Sequence, residues 1–251
     1  MKRRGLLIAV GALITALLGV GAAVLPLPYV LLDPGPTVDT LGSKDGHQVI
    51  TVTGAEVSAS AGQLRLTTVS VETGVTLGEA WDAWSDPQRA LVPRDAVFTA
   101  GRTDEQVNQE NATAFQESES TAVTVALDEL GNPAGVQVTV DVAGIGGPSA
   151  GLMISLGIVD KLTPADLTGG RILAGTGTVD EAGKVGAIGG IPQKLHGAKA
   201  AGATYFLVPA GNCAEAKRNA VPGLPMAKVG TVDEALTALK TITAGGTPAA
   251  C

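Results

Sequence analysis

The chain has 251 residues, of which 45% are apolar but only 3% aromatic, and 24 acidic side chains outweigh 17 basic ones to leave a net charge of −7. With an apolar N-terminal run set aside, that length fits one domain of about 200 residues, and with so few aromatics its core must be built from Ala, Val, Leu and Ile. No basic run occurs beyond Lys2-Arg3-Arg4, which excludes a nucleic-acid partner, because binding a phosphate backbone needs a positive face.

Those three basic residues precede an uncharged run from Gly5 to Leu32, long enough to cross a bilayer as a helix. Basic flanks stay inside, so the pattern predicts a single-pass cell-membrane protein with a cytoplasmic N-terminus and everything after Asp33 outside the cytoplasm. A cleaved signal peptide is the competing reading, since Gly21-Ala22-Ala23 supplies small residues near a cut. The run exceeds the usual h-region of about 7–15 residues, which favours an uncleaved anchor. Pro26, Pro28, Pro34 and Pro36 then predict a stiff, non-helical exit.

Further on, Val49–Val52 and Gln63–Val71 read as strands. Thr76 and Glu79 stand in capping-box register at the head of a short helix that carries Trp81 and Trp84, and Pro87 and Pro93 bracket a loop. Thr103 and Gln106 open a second capping box, and the long helix behind it stops at Gly131-Asn132-Pro133. The glycosylation pattern Asn111-Ala112-Thr113 falls inside that helix and reads as chance.

Val136, Val138, Val140 and Val142 alternate with Gln137, Thr139 and Asp141, which predicts a strand with one buried face. It gives way to Gly146-Gly147-Pro148-Ser149-Ala150-Gly151, and from Leu152 to Val159 the chain is apolar on nearly every side of a helix. Ser149 therefore sits at a strand-to-helix junction, where free backbone N–H groups favour a developing negative charge. A plain N-cap role fits the same stretch equally well.

Beyond it, Thr163-Pro164 predicts one more helical turn, and Arg171–Val179 and Lys184–Ile188 predict two strands joined by the turn Asp180–Gly183. A helix Pro192–Ala201, a strand Tyr205–Val208, a helix Cys213–Asn219, a strand Met226–Val229 and a helix Val232–Thr241 complete a mixed α/β or α+β pattern. Gly177–Lys184 has the wrong spacing for a phosphate-binding loop, and Val185 stands where Ser or Thr should be, so no nucleotide is expected. Nor is a metal or other cofactor, because His47 and His196 are the only histidines and no carboxylate cluster has ligand spacing. Cys213 and Cys251, the only cysteines, could pair outside the cytoplasm and tie down the Gly245-Gly246-Thr247-Pro248 tail.

A nucleophilic serine needs a proton acceptor, and one short helix offers Lys194 and His196. Two positions apart, they lie about 200° around the helix and cannot both face Ser149. Lys194 shares its face with Ala198 and Ala201, a small apolar setting that can desolvate an amine and lower its pKa. A histidine reading also exists: Gly147-Pro148-Ser149-Ala150-Gly151 satisfies Gly-x-Ser-x-Gly, and Ser149, Asp166 or Asp180, then His196 follow the order of an α/β-hydrolase esterase.

Gly147-Pro148-Ser149-Ala150-Gly151, Gly175-Thr176-Gly177, the run Gly183–Leu195 containing Gly189-Gly190-Ile191-Pro192-Gln193-Lys194, and Ala201-Gly202-Ala203 before Phe206-Leu207-Val208-Pro209 together resemble the proteolytic domain of Lon proteases. With the anchor and the Tyr29–Gly35 segment, the nearest resemblance is to membrane-anchored, ATPase-free Lon-like proteases that often carry a PDZ module. The resemblance implies a Lon-type mixed sheet with flanking helices, Ser149 as nucleophile, Lys194 as general base, Thr176 as the hydroxyl that orients the lysine, and no catalytic role for His196. It implies a protein or peptide substrate, and, since Lon-type domains commonly form rings, it is compatible with a homo-oligomer. Gly146 departs from the pattern, since many Lon proteases carry aspartate there. Only Gly131–Gly135 separates the long helix from the strand leading to the serine, so no PDZ module fits. The expected layout is a stub and anchor at 1–32, a linker at 33–46, a protease domain at 47–243 and a tail at 244–251. A membrane-tethered scaffold that keeps the fold without catalysis is the remaining alternative.

Overall fold

The computed structural model describes residues 2–98, 101–142 and 144–251. In chain order they form helix α1 (Lys2–Val24), strand β1 (Tyr29–Asp39), the small hairpin β2 (Ser43–Lys44) and β3 (His47–Gln48), β4 (Ile50–Thr53), β5 (Gln63–Glu72), α2 (Leu77–Trp84), β6 (Ala90–Pro93) and α3 (Arg94–Val97). Then follow α4 (Asp104–Glu129), β7 (Gln137–Val140), α5 (Gly151–Leu162), β8 (Ile172–Gly175), β9 (Thr178–Val179) and β10 (Val185–Gly186). The chain ends with α6 (Ile191–Ala200), β11 (Tyr205–Pro209), α7 (Cys213–Arg218), β12 (Met226–Val229) and α8 (Val232–Thr243). This is the mixed α/β architecture that the alternation of periods predicts.

The chain divides into two compact units, Met1–Asp33 with Ser70–Gly101, and Pro34–Val69 with Arg102–Cys251. Residues 70–101, expected inside a single domain, thus group with the N-terminal segment. In this first unit the span predicted to reach Leu32 stops as a helix at Val24, because Pro26 and Pro28 cannot continue it. Tyr29–Leu32 pair antiparallel with Ala90–Pro93, so the expected loop between Pro87 and Pro93 also contains a strand. Leu31, Val75, Ala80 and Ala83 form a small core with Leu27 and Leu91 packed against it. Both α2 and α4 begin with the reciprocal capping boxes read from sequence, at Thr76/Glu79 and Thr103/Gln106.

The second unit holds the large core. Its sheet runs in the order β12-β11-β8-β5-β1, with β12, β11, β8 and β5 mutually parallel where they pair. Residues 33–46, expected as a linker, instead supply most of β1 and the strand β2. Strand β1 lies beside β5, and β6 pairs only with its first part, Tyr29–Leu32, ahead of Pro34 and Pro36. Helix α5 lies inside this unit, with every residue from Gly151 to Lys161 buried. That is why its sequence shows no polar face. Thr163 and Pro164 do not open another helical turn: Thr163 ends α5, its N–H bonded to the Asp160 carbonyl.

The C-terminal tail is held twice. Lys228 N–H donates to the Ala249 carbonyl at 2.7 Å, and Cys213 and Cys251 form a disulfide across a sequence separation of 38. A loop of that length is worth about 4 kcal/mol in the chain-entropy model. Cys251→Ser is therefore expected to lower stability by up to about 4 kcal/mol, read as a fall in the denaturation midpoint that reductant reproduces in the native chain and does not deepen in the variant.

Candidate active site

Parallel strands leave their useful crevice outside their carboxyl ends, and β8 ends there at Gly175, so that Thr176 is the first residue past the sheet. The turn Thr176-Gly177 runs alongside a single 3-10 turn, Pro148–Ala150, that leads into α5. Gly177 N–H donates to the Ser149 carbonyl at 2.9 Å, and Leu152 N–H donates back to the Gly177 carbonyl at 3.1 Å. Gly177 has φ +152°, and a Cβ there would lie 2.7 Å from Val185 Cγ1, so only glycine fits this crossing.

The other side of the serine turn is held by α4. Asn111 on α4 accepts the Gly147 N–H at its carbonyl at 2.8 Å, and the Ser118 hydroxyl donates to the Pro148 carbonyl at 2.9 Å. Neither residue was given this role from sequence, where Asn111 entered only as part of a chance glycosylation pattern. For Ser118 the available signal was the buried stripe Val107, Phe115, Ser118, Ala122 and Val125, which carries one polar side chain among apolar ones, while the Asn111 contact is made by its backbone carbonyl and has no side-chain signal.

Ser149 is not the cap of α5: the N-cap position is Ala150, and no side chain caps it. Its hydroxyl is half-buried and accepts a hydrogen bond from Lys194 Nζ at 2.8 Å. The lysine comes from the first turns of α6. Gly190 starts that helix in the left-handed region, φ +72°, packed so closely on Val69 that a Cβ would lie 2.6 Å from its Cγ2. Lys194 then shares the inner face with Ile191, Leu195 and Ala198, all fully buried, and is itself only 3% exposed.

Thr176, fully buried, completes the arrangement. Its hydroxyl donates to the Ser149 carbonyl at 3.1 Å, which leaves the oxygen to accept from Lys194 Nζ at 3.0 Å. Three residues picked out by sequence, 149, 176 and 194, are thus brought together around one amine. Burial alone, without help from any charged neighbour, pushes that amine down from 10.5 to about 8.

His196, two residues on, is half-buried and makes no hydrogen bond to Ser149 among the described residues. Its proposed acidic partners are occupied elsewhere. Asp166 accepts from the Thr168 hydroxyl and the backbone of Ala61, Thr168 and Gly169, while Asp180 accepts from Ala182 N–H and Lys184 N–H inside its own turn. Among the described residues no group of three His, Cys, Asp or Glu side chains could hold a metal ion.

A Cβ at Gly146 would lie 3.1 Å from the Asn111 Cβ, so the contact that fixes the serine turn on α4 also crowds the position where an aspartate would stand. Residues 106–240, more than half of the chain, match the model of the Lon protease (S16) C-terminal proteolytic domain, and the chain belongs to that family of serine proteases.

Proposed function

We propose that the protein is a membrane-anchored serine endopeptidase that works without ATP, with Ser149 as nucleophile and Lys194 as general base. The observation that carries this reading is the 2.8 Å contact between the Ser149 hydroxyl and an amine that is 3% exposed. Neutral Lys194 takes the Ser149 proton as Oγ attacks the substrate carbonyl, and the positive end of α5 offsets charge on the resulting oxyanion. The ammonium then returns the proton to the departing amide nitrogen, leaving an acyl-enzyme. Water, deprotonated by the same amine, attacks the ester and releases the acid. Thr176 acts as a positioning residue, since its hydroxyl holds Nζ without competing for its lone pair.

The cellular placement rests on α1. Residues Arg3–Val24 are long and apolar enough to cross a membrane, with mean hydropathy 2.4 and none of the segment buried, a description that a signal sequence also meets. The basic Lys2-Arg3-Arg4 flank supports an N-terminus in the cytoplasm and the protease unit outside it. Independence from ATP is supported by the mis-spaced Gly177–Lys184 loop, and is checked by turnover in nucleotide-free buffer.

Ser149→Ala and Lys194→Ala are each expected to lower kcat/KM on an unfolded protein substrate by about 10⁴-fold or more, while His196→Ala retains most of the activity. A dead His196→Ala beside an active Lys194→Ala would replace the dyad by the hydrolase reading. A folded chain with no serine-dependent turnover on any peptide library would leave the scaffold reading.

Because the neutral amine is the base, kcat/KM should rise with pH through about 8 and level off above it. A bell or a midpoint in the histidine range would contradict the assignment.

The same shift has a consequence for stability. Between about 8 and 10.5 the unfolded chain binds the lysine proton and the folded chain does not, so stability rises with pH across that window. Below it, burying the charge costs about 3 kcal/mol. Lys194→Met, which keeps the volume and removes the charge, should therefore be more stable than the native chain at pH 7. Chemical denaturation should show the gap between the two narrowing by about 3 kcal/mol as pH is raised past 10.5.

A further inference from the structure

The N-terminal unit presents an apolar face that its own core leaves uncovered. Leu77, Trp81 and Trp84 fall within about 60° of one another around α2, and they are 54%, 76% and 87% exposed. The neighbouring flank, Ala80 and Ala83, is buried in the small core with Leu31. Trp81 and Trp84 are the only tryptophans in the chain. Together with Tyr29 they are all of the exposed aromatic side chains among the described residues, and all three belong to this unit.

The chain to which α2 is bonded indicates what this face meets. Leu27, three residues past the end of α1, donates its N–H to the Val75 carbonyl at 2.8 Å, directly ahead of the α2 capping box. Leu27 also packs against the small core that includes Ala80 and Ala83, and α1 touches α2. Helix α2 is thereby pinned within a few residues of the point where the chain leaves its apolar, wholly exposed helix. Tryptophan and tyrosine concentrate at the two membrane–water interfaces, where the ring meets apolar chains and the polar tip stays hydrated.

We propose that the Leu77–Trp81–Trp84 face of α2 docks into the interfacial layer of the bilayer that α1 crosses, giving the protein a second, in-plane hold on the membrane. This rests on α1 being an uncleaved span. On the opposite side of α2, Glu79 is tied to Thr76 by the capping box and Asp82 points to water. Helix α2 contains no lysine or arginine, so the contact does not draw on anionic lipid.

The two tryptophans make the test self-reporting, because all indole emission of the full chain comes from this face. The full chain is reconstituted into phosphatidylcholine vesicles with and without acyl-chain bromine close to the carbonyl end, and flotation after an alkaline wash is scored on the same sample. The expected result is a chain that floats, with emission shifted to the blue, quenched by the brominated lipid, shielded from iodide, and unchanged when anionic lipid is added. A chain that floats while its emission stays open to iodide and unquenched by bromolipid overturns the docking and leaves the anchor standing. A chain that does not float overturns both. Emission shielded from iodide but untouched by bromolipid, in a protein whose particle size falls on Trp81→Ser/Trp84→Ser substitution, assigns the face to a second copy of the chain and overturns the docking.

Discussion

An amine with no charged partner, held 3% exposed between two hydroxyl groups, is the constraint on which the second unit depends. A protonated lysine in such a place is unfavourable, and among the described residues no carboxylate alongside relieves it. What the surroundings supply instead is dryness. Ile191, Leu195 and Ala198 close the α6 face, and Gly190 lets the start of α6 approach Val69 without a side chain between them. The instability of the charge and the reactivity of the neutral form are one property. Filling the site with a better-solvated lysine would give a more comfortable fold and a poorer base.

Such a base is useful only if the serine is held as firmly as the lysine. The serine turn is bonded on one side to α4, through the Asn111 carbonyl and the Ser118 hydroxyl, and on the other to the end of β8, through Gly177 and Thr176. Helix α5 begins inside that grip and runs buried for eleven residues, Gly151–Lys161, so the turn cannot swing without displacing the centre of the core. Thr176 belongs to both halves of the arrangement, since its hydroxyl donates to the Ser149 carbonyl and accepts from the Lys194 amine. The serine is therefore fixed by backbone pairing at the carboxyl end of the interior strand β8, and the lysine is referred to the same point through the Thr176 hydroxyl.

Much of this was legible in the sequence where the signal was local. The two capping boxes, the all-round apolar α5, and the placement of Lys194 and His196 on different sides of α6 follow from spacing alone, and the structure has each of them. What local signals did not carry has one cause, which is long-range pairing. Residues 29–39 carry four prolines in or just before them and read as an exit and a linker, yet they form a strand, because β5 lies alongside and Ala90–Pro93 pair with Tyr29–Leu32. The grouping of 70–101 with the N-terminal segment has no sequence signal at all, since it depends on which residues pack over Leu31. Asn111 and Ser118 were hidden for a different reason: Asn111 acts through its backbone carbonyl, which no side-chain pattern marks, and the Ser118 side chain looks like an ordinary polar position on a long helix until the loop it holds is known.

Gly146 ties these points together. A carboxylate close to Lys194 would stabilise the ammonium and push its pKa back up, working against the desolvation that brings it to about 8. In this chain the position before the Gly-Pro-Ser turn carries no side chain, and the backbone contact from Gly147 to Asn111 leaves only 3.1 Å for a Cβ there. The same close approach that fixes the serine turn on α4 thus leaves little room for a side chain at this position. The tight turn on α4 and the dry setting of Lys194 are thus separate requirements, the first met by a residue without a side chain and the second by burial on α6.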